Sequence, residues 1–194
     1  MKVKKSYFLE EDVVSLAQDM LGKVLVTNFN NKLTAGIITE TEAYDGVNDK
    51  ACHAYGGKRT ARTEVMYAQG GISYVYLCYG LHHLFNIVTG SKDVPQAVLI
   101  RAIQPLKGIE EILKRRNATK LSANLCLGPG KITKALGITT QHNAFDLTQG
   151  KIWLEDENVQ LKKSQILKGP RIGVDYAGED AKLPYRFWVK DYSV

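Results

Sequence analysis

Glu40-Thr41-Glu42-Ala43-Tyr44 and Ser73-Tyr74-Val75-Tyr76-Leu77-Cys78-Tyr79-Gly80 are the stretches of this 194-residue chain that decide its fold. Both alternate with the two-residue period of a β-strand. In the first, the Glu42 carboxylate and the Tyr44 ring fall on one face. In the second, Tyr74 and Tyr76 share a face, and Tyr79-Gly80 stands where a hairpin would turn.

Working outward, residues 24–28 and 33–44 read as strands joined by a turn at Asn30-Asn31, and 72–78, 84–89 and 97–103 as further strands. Short strands are also expected near 151–154, 172–175 and 186–190. Val13, Leu16, Ala17, Met20 and Leu21 have helical spacing, with Gly22 as the stop. Two more helices are expected, over 109–116 and from Lys131 onward behind Gly128-Pro129-Gly130. The polar segment 45–71 is longer than most connections in a compact domain, and such segments tend to be functional or disordered. No repeat, low-complexity tract or linker interrupts the chain. The pattern predicts one α+β (mixed α/β) domain over 1–194, with a curved, mostly antiparallel sheet.

Composition bounds the function. A hydrophobic content of 44% and a charged content of 24% exclude disorder and leave enough material for a core. Lys and Arg exceed Asp and Glu by 26 to 20, a net charge of +6 that suits a polyanionic partner or simple solubility. Cys52, Cys78 and Cys126 lie too far apart for a redox or zinc motif and read as reduced thiols. No apolar run approaches a membrane span, and Met1-Lys2-Val3-Lys4-Lys5 leads into acidic residues instead of a signal core. An intracellular protein is expected, cytoplasmic and nucleoid-associated in a bacterium.

A carboxylate set among aromatic rings can hold one water and a flat ring system together, the equipment for cleaving a base from a nucleic acid. Most strand glutamates only pair with a surface base, and half-buried tyrosines are usually core. What changes that balance is a series of segments, 40–44, 53–62, 74–86, 98–105 and 125–136, that resembles the alkyladenine (3-methyladenine) DNA glycosylase family. The segments run in the family's order over almost the full chain. The resemblance implies an open-barrel-like sheet flanked by helices, with a protruding β-hairpin.

It also implies roles. Glu42 matches the family's general base, with Glu40 as the rival on the same face. Such a carboxylate would stabilise an oxocarbenium-like sugar and take a proton from the attacking water. Arg101, in an otherwise apolar strand, matches the arginine that holds that water. Tyr44, His53 and Tyr76 match the base-stacking pocket, supported by Tyr74, and tyrosine faces favour cationic N-alkylated purines. Asn86 matches a residue that clashes with the guanine 2-amino group. Tyr79 matches the side chain pushed into the minor groove where the base has left.

Lys58, Arg59 and Arg62 match the DNA-contacting loop, and Lys131 follows a glycine-rich helix start suited to a phosphate. Two departures stand out: Gln104 replaces the usual Glu, and Ala61-Arg62-Thr63 replaces the usual Pro-Arg-Asn. Lys114-Arg115-Arg116 reads as a solvated helix face. Cys78, His82 and His83 form no standard ligand set, so neither metal nor cofactor is expected. No lysine stands by Glu42 for a lyase step.

The expected activity is a monofunctional glycosylase of base excision repair. It would flip alkylated or deaminated purines from duplex DNA and act as a monomer without membrane contact. The rival is a catalytically silent nucleic-acid-binding module of the same fold, which the joint presence of Glu42 and Arg101 disfavours.

Overall fold

The computed structural model describes residues 1–10 and 12–190. Its centre is an eight-stranded sheet in which every ladder is antiparallel. The strands are β1 (Val24–Phe29), β2 (Lys32–Tyr44), β3 (Ile72–Cys78), β4 (His82–Thr89), β5 (Gln96–Lys107), β6 (Ile152–Glu155), β7 (Ile166–Gly169) and β8 (Arg186–Val189). The order β3-β4-β5-β2-β1-β6 forms the main path. Strand β8 takes over the edge of β2 beyond β1, and β7 pairs with β8.

The sheet curls because its two longest strands are bulged. Register shifts between β2 and β5 leave Thr39 without an opposite residue on one strand and Arg101 on the other. An extra residue bends its strand, raises the local twist and re-aims a side chain. The result is a half-barrel, the α+β class expected from the strand pattern.

Helices α1 (Val13–Asp19), α2 (Ile109–Arg116) and α3 (Pro129–Leu136) cover the sheet. Asp12 caps α1 by accepting from the Val14 and Ser15 amides. Glu110 and Glu111 in the first turn of α2, and Lys114, Arg115 and Arg116 in its last, oppose the helix dipole. Phe8, Leu25, Ile38, Phe85, Ile100, Ile112, Ile132 and Leu136 fill the core between these layers. Fully burying each such side chain contributes about 1.5–3 kcal/mol.

Two expectations need correction, and a third is narrowed. The strand expected at 172–175 lies instead at Ile166–Gly169, and 171–174 is a turn. Pro170 lacks the amide a ladder needs, and Gly173 has a φ of 76°, so extended pairing cannot continue. Of the two alternatives for segment 45–71, functional or disordered, packing removes the second: Cys52, Ala54, Met66 and Tyr67 form a small core of their own with Tyr74, Val88 and Ala97. Finally, Lys114-Arg115-Arg116 is not a simple solvated face. Arg115 reaches Glu111 and the Ala135 carbonyl, and Arg116 donates to the Leu125 carbonyl.

The exposed edge of β3 is closed by residues 142–147. The Ser73 amide donates to the Phe145 carbonyl and the Val75 amide to Asn143 Oδ1. Beyond that cover the β3–β4 hairpin projects, with Tyr79 at its tip.

Candidate active site

Antiparallel register builds one lateral row across five strands: Tyr74 opposite Asn86, Asn86 opposite Leu99, Leu99 opposite Glu42, and Glu42 opposite Arg186. Opposed residues point to the same face, so side chains far apart in sequence line one floor. The other face of β2 is committed to the core, where Thr41 donates to the Ala17 carbonyl and Ala43 packs with α1. A cleft of about 910 Å³, the size of a small-molecule site, opens over the Tyr74, Asn86 and Leu99 end of this row, and Glu42 beside it is fully buried.

Glu42 is fully buried, and its two oxygens have separate partners. Oε1 accepts from the Ile172 backbone amide at 2.8 Å and lies 3.3 Å from an Arg101 guanidinium nitrogen. Oε2 accepts from the Tyr44 hydroxyl at 2.9 Å. Burial pushes the Glu42 carboxyl above the usual range, while Arg101, the Ile172 amide and Tyr44 pull it back. A carboxyl raised in this way has the proton affinity that a general base needs.

Arg101 Nε also donates to Glu40 Oε1 at 3.0 Å, and Arg186 donates to the same oxygen at 3.1 Å. Glu40 is thus held between two guanidiniums, whereas Glu42 is bonded to the cleft-lining Tyr44, Arg101 and Ile172. The Gln104 departure does not disturb this set, since Arg101 already has two carboxylates. The Gln104 Oε1 atom is buried without a partner among the described residues.

Aromatic rings form the walls. Tyr74 and Tyr76 lie 5.3 Å apart by centroid, and His53 meets Tyr76 edge-on at 4.8 Å. His53 Nδ1 is 2.8 Å from the Tyr74 hydroxyl, a bond that fixes the ring. Burial, aided by the Arg62 charge, lowers the His53 pKa to about 4, so the imidazole is neutral at physiological pH. Asn86 is buried and donates to the Tyr74 carbonyl at 3.1 Å, which orients its side chain in the cleft.

The basic residues divide into distinct settings. Arg62 lies with its guanidinium 4.7 Å from the Tyr76 centroid and lines the cleft itself. Arg59 is occupied by Glu64 and Asp93, both at 2.8 Å. The Lys58 side chain is exposed, and its carbonyl closes the turn by accepting from Thr63 and Tyr67. Thr60 and Thr63 hydrogen-bond across Ala61-Arg62, which gives that departure a defined turn. Lys131 contacts Asn124 and lines the far end of the cleft with Arg116 and Lys134.

His82 and His83 have structural places. Gly130 packs on the His82 ring, where a Cβ would come within 3.0 Å, and His83 Nδ1 accepts from the Thr140 amide. Among the described residues no group of three His, Cys, Asp or Glu is placed to hold a metal ion, and no helix is long and apolar enough to cross a membrane.

Sequence reading missed the second half of the site. Arg171 is buried and forms a two-pronged ion pair with Asp49, with one contact of 2.8 Å. Its guanidinium lies 4.9 Å from the Tyr44 centroid and 5.2 Å from that of Tyr185. The adjoining Ile172 supplies the amide for Glu42, and Tyr176 reaches across to the Ala51 carbonyl. Leu77 and Leu81 flank the exposed Tyr79 at the hairpin tip. The clue available for the first group was Pro170 with Gly173, the mark of a turn.

Comparison with known proteins gives a consistent result. The family model described as methylpurine-DNA glycosylase matches residues 7–193. A candidate 3-methyladenine DNA glycosylase of Chlamydia felis is 49% identical over 184 residues, covering 94% of this chain and 93% of the relative. Similar proteins of that name from Clostridium perfringens, at 45% over 192 residues, and Bacillus cereus, at 44% over 194 residues, cover 95% of the chain and 94% of their own lengths.

Proposed function

Because the chain belongs to the methylpurine-DNA glycosylase family, whose members hydrolyse N-glycosyl bonds in DNA repair, we propose that it flips a damaged purine into the cleft and releases it with a water activated by Glu42. The observation that carries this reading is the Glu42 carboxylate, fully buried and bonded to three residues that line the cleft, Arg101, Tyr44 and Ile172. In the reaction the bond between the sugar C1′ and the base nitrogen breaks, and its electron pair leaves with the base. Water adds to the oxocarbenium-like C1′, and its proton passes to Glu42. Arg101 keeps the carboxylate ionised and aimed at that water.

Tyr44, Tyr76 and His53, all at the cleft, replace the stacking a flipped base loses, about 1–3 kcal/mol per base. Asn86 at the floor rejects the 2-amino group of guanine, a clash that disfavours the abundant normal base. Tyr79 fills the vacated position in the duplex. Lys58, Arg59 and Lys131 border the path the phosphates would take, and Arg62 lines the cleft itself. Alkylated and deaminated purines in duplex DNA are the substrates, and the protein works as a monomer without a cofactor.

The deciding experiment is single-turnover excision by Glu42→Gln on a duplex carrying hypoxanthine. Gln can keep the three hydrogen bonds, with Oε1 accepting from Ile172 and Arg101 and Nε2 donating to Tyr44. It cannot take the proton. Loss of excision with lesion binding retained is expected. Retention of more than about a tenth of the wild-type rate, a loss under about 1.4 kcal/mol of transition-state stabilisation, would sink the assignment.

A further inference from the structure

We infer that Arg62 is a specificity-determining residue that favours lesions neutral in the ground state over permanently cationic N-alkylated purines. The inference rests on the excision reading above and concerns which lesion the same cleft prefers. Three guanidiniums line the cleft, those of Arg62, Arg101 and Arg116, and a fourth, Arg171, lies against Tyr44. Arg101 lies against Glu40 and Glu42, Arg171 is paired with Asp49, and Arg116, at the Lys131 end, donates to the Leu125 carbonyl. Arg62 has no carboxylate partner within 4.0 Å among the described residues. Its polar contacts are neutral, His53 Nε2 at 3.5 Å and the Tyr74 hydroxyl, and its guanidinium covers the Tyr76 ring at 4.7 Å. The uncompensated cation therefore sits at the wall on which a flipped base would stack.

Two effects follow. A ring face already engaged by a guanidinium has less of its quadrupole to offer a second cation. A positively charged base brought alongside is also repelled by Arg62, with no local carboxylate to screen it. A neutral base pays neither penalty. The bond-breaking step adds to the contrast. When the glycosidic bond breaks, its electron pair goes to the base nitrogen. A cationic base then leaves neutral, while a neutral base leaves with developing negative charge. The Arg62 N–H groups can donate to that charge, so the same side chain assists departure of the neutral lesion. His53, neutral and adjacent, cannot supply a compensating cation.

The test compares single-turnover excision from matched duplexes carrying hypoxanthine, which is neutral, or 7-methylguanine, which is cationic. Arg62→Gln should lower the hypoxanthine-to-7-methylguanine rate ratio by about three- to tenfold, the effect of one unit charge near contact in a largely aqueous dielectric. Arg62→Lys should restore most of the ratio, and Arg62→Glu should move it further in the same direction. Because Arg62 is exposed, these variants should leave folding intact, and their thermal transitions check this. Equal losses on both lesions, with the salt slope reduced by about 0.9, would assign Arg62 to a phosphate and overturn the inference. An unchanged ratio in all three variants would overturn it as well. Wild-type protein releasing neither base would defeat the excision reading itself, an outcome distinct from a ratio that fails to move.

Discussion

At the scale of single residues, Glu42 is a charge that the fold does not need. Glu42 is fully buried, and burial outweighs its partners in raising the carboxyl. The folded-state value therefore lies above the unfolded one. Between them the folded chain holds a proton that the unfolded chain has lost, so stability contributed by Glu42 is present at low pH and lost as pH rises through the folded value. Glu42→Gln lacks this titration. Its melting temperature should exceed that of the wild type at pH 7, with the difference shrinking toward pH 4. A variant less stable than the wild type at pH 7 would mean that the Arg101 and Tyr44 contacts outweigh desolvation. A gain in stability coupled to loss of excision is the trade-off expected of a functional carboxylate.

At the scale of elements, the β3–β4 hairpin presents its apolar groups outward. Tyr79 is 90% exposed and Leu81 76% exposed, and Tyr79 has a φ of 51°. A left-handed backbone at a tyrosine costs about 1–2 kcal/mol, and an exposed ring recovers none of it in the free protein. The outlay makes sense where the tip meets another molecule. Tyr79→Ser should therefore reduce excision on duplex DNA, where the flipped base leaves a gap, more than on single-stranded DNA, where no stack needs replacing. Parallel single-turnover assays read the contrast. Equal losses on both substrates would make Tyr79 a support for the cleft, not a wedge.

At the scale of the whole molecule, one buried ion pair joins distant parts of the chain. Arg171 and Asp49 are 122 residues apart, and their pair ties the segment carrying His53 to the turn that delivers the Ile172 amide. Removing one partner leaves the other buried and uncompensated, at about 3–5 kcal/mol. For a chain of this size, Asp49→Ala should lower the melting temperature by roughly 6–15 °C. Excision of neutral and cationic lesions should fall together, because the clamp holds both Tyr44 and the Glu42 amide partner. An Asp49→Ala variant with wild-type melting and rates would show that the segments are fixed by packing alone.

The sequence by itself determined most of the strands, a mostly antiparallel sheet and the face on which Glu42 and Tyr44 lie, because a two-residue period fixes side-chain direction locally. It also marked Tyr79 at a turn, through Gly80, and family likeness named the pocket residues. Tertiary structure decided the rest. That Tyr74, Asn86, Leu99, Glu42 and Arg186 form one row depends on register between strands, which no local pattern states. The strand expected at 172–175 became a turn because Pro170 and Gly173 break the ladder and free an amide for Glu42. Arg62 read as one more basic residue near the DNA. Its place over the Tyr76 ring, without a carboxylate, follows only from how the 45–71 segment packs beside β3, since charge compensation is set by neighbours in space.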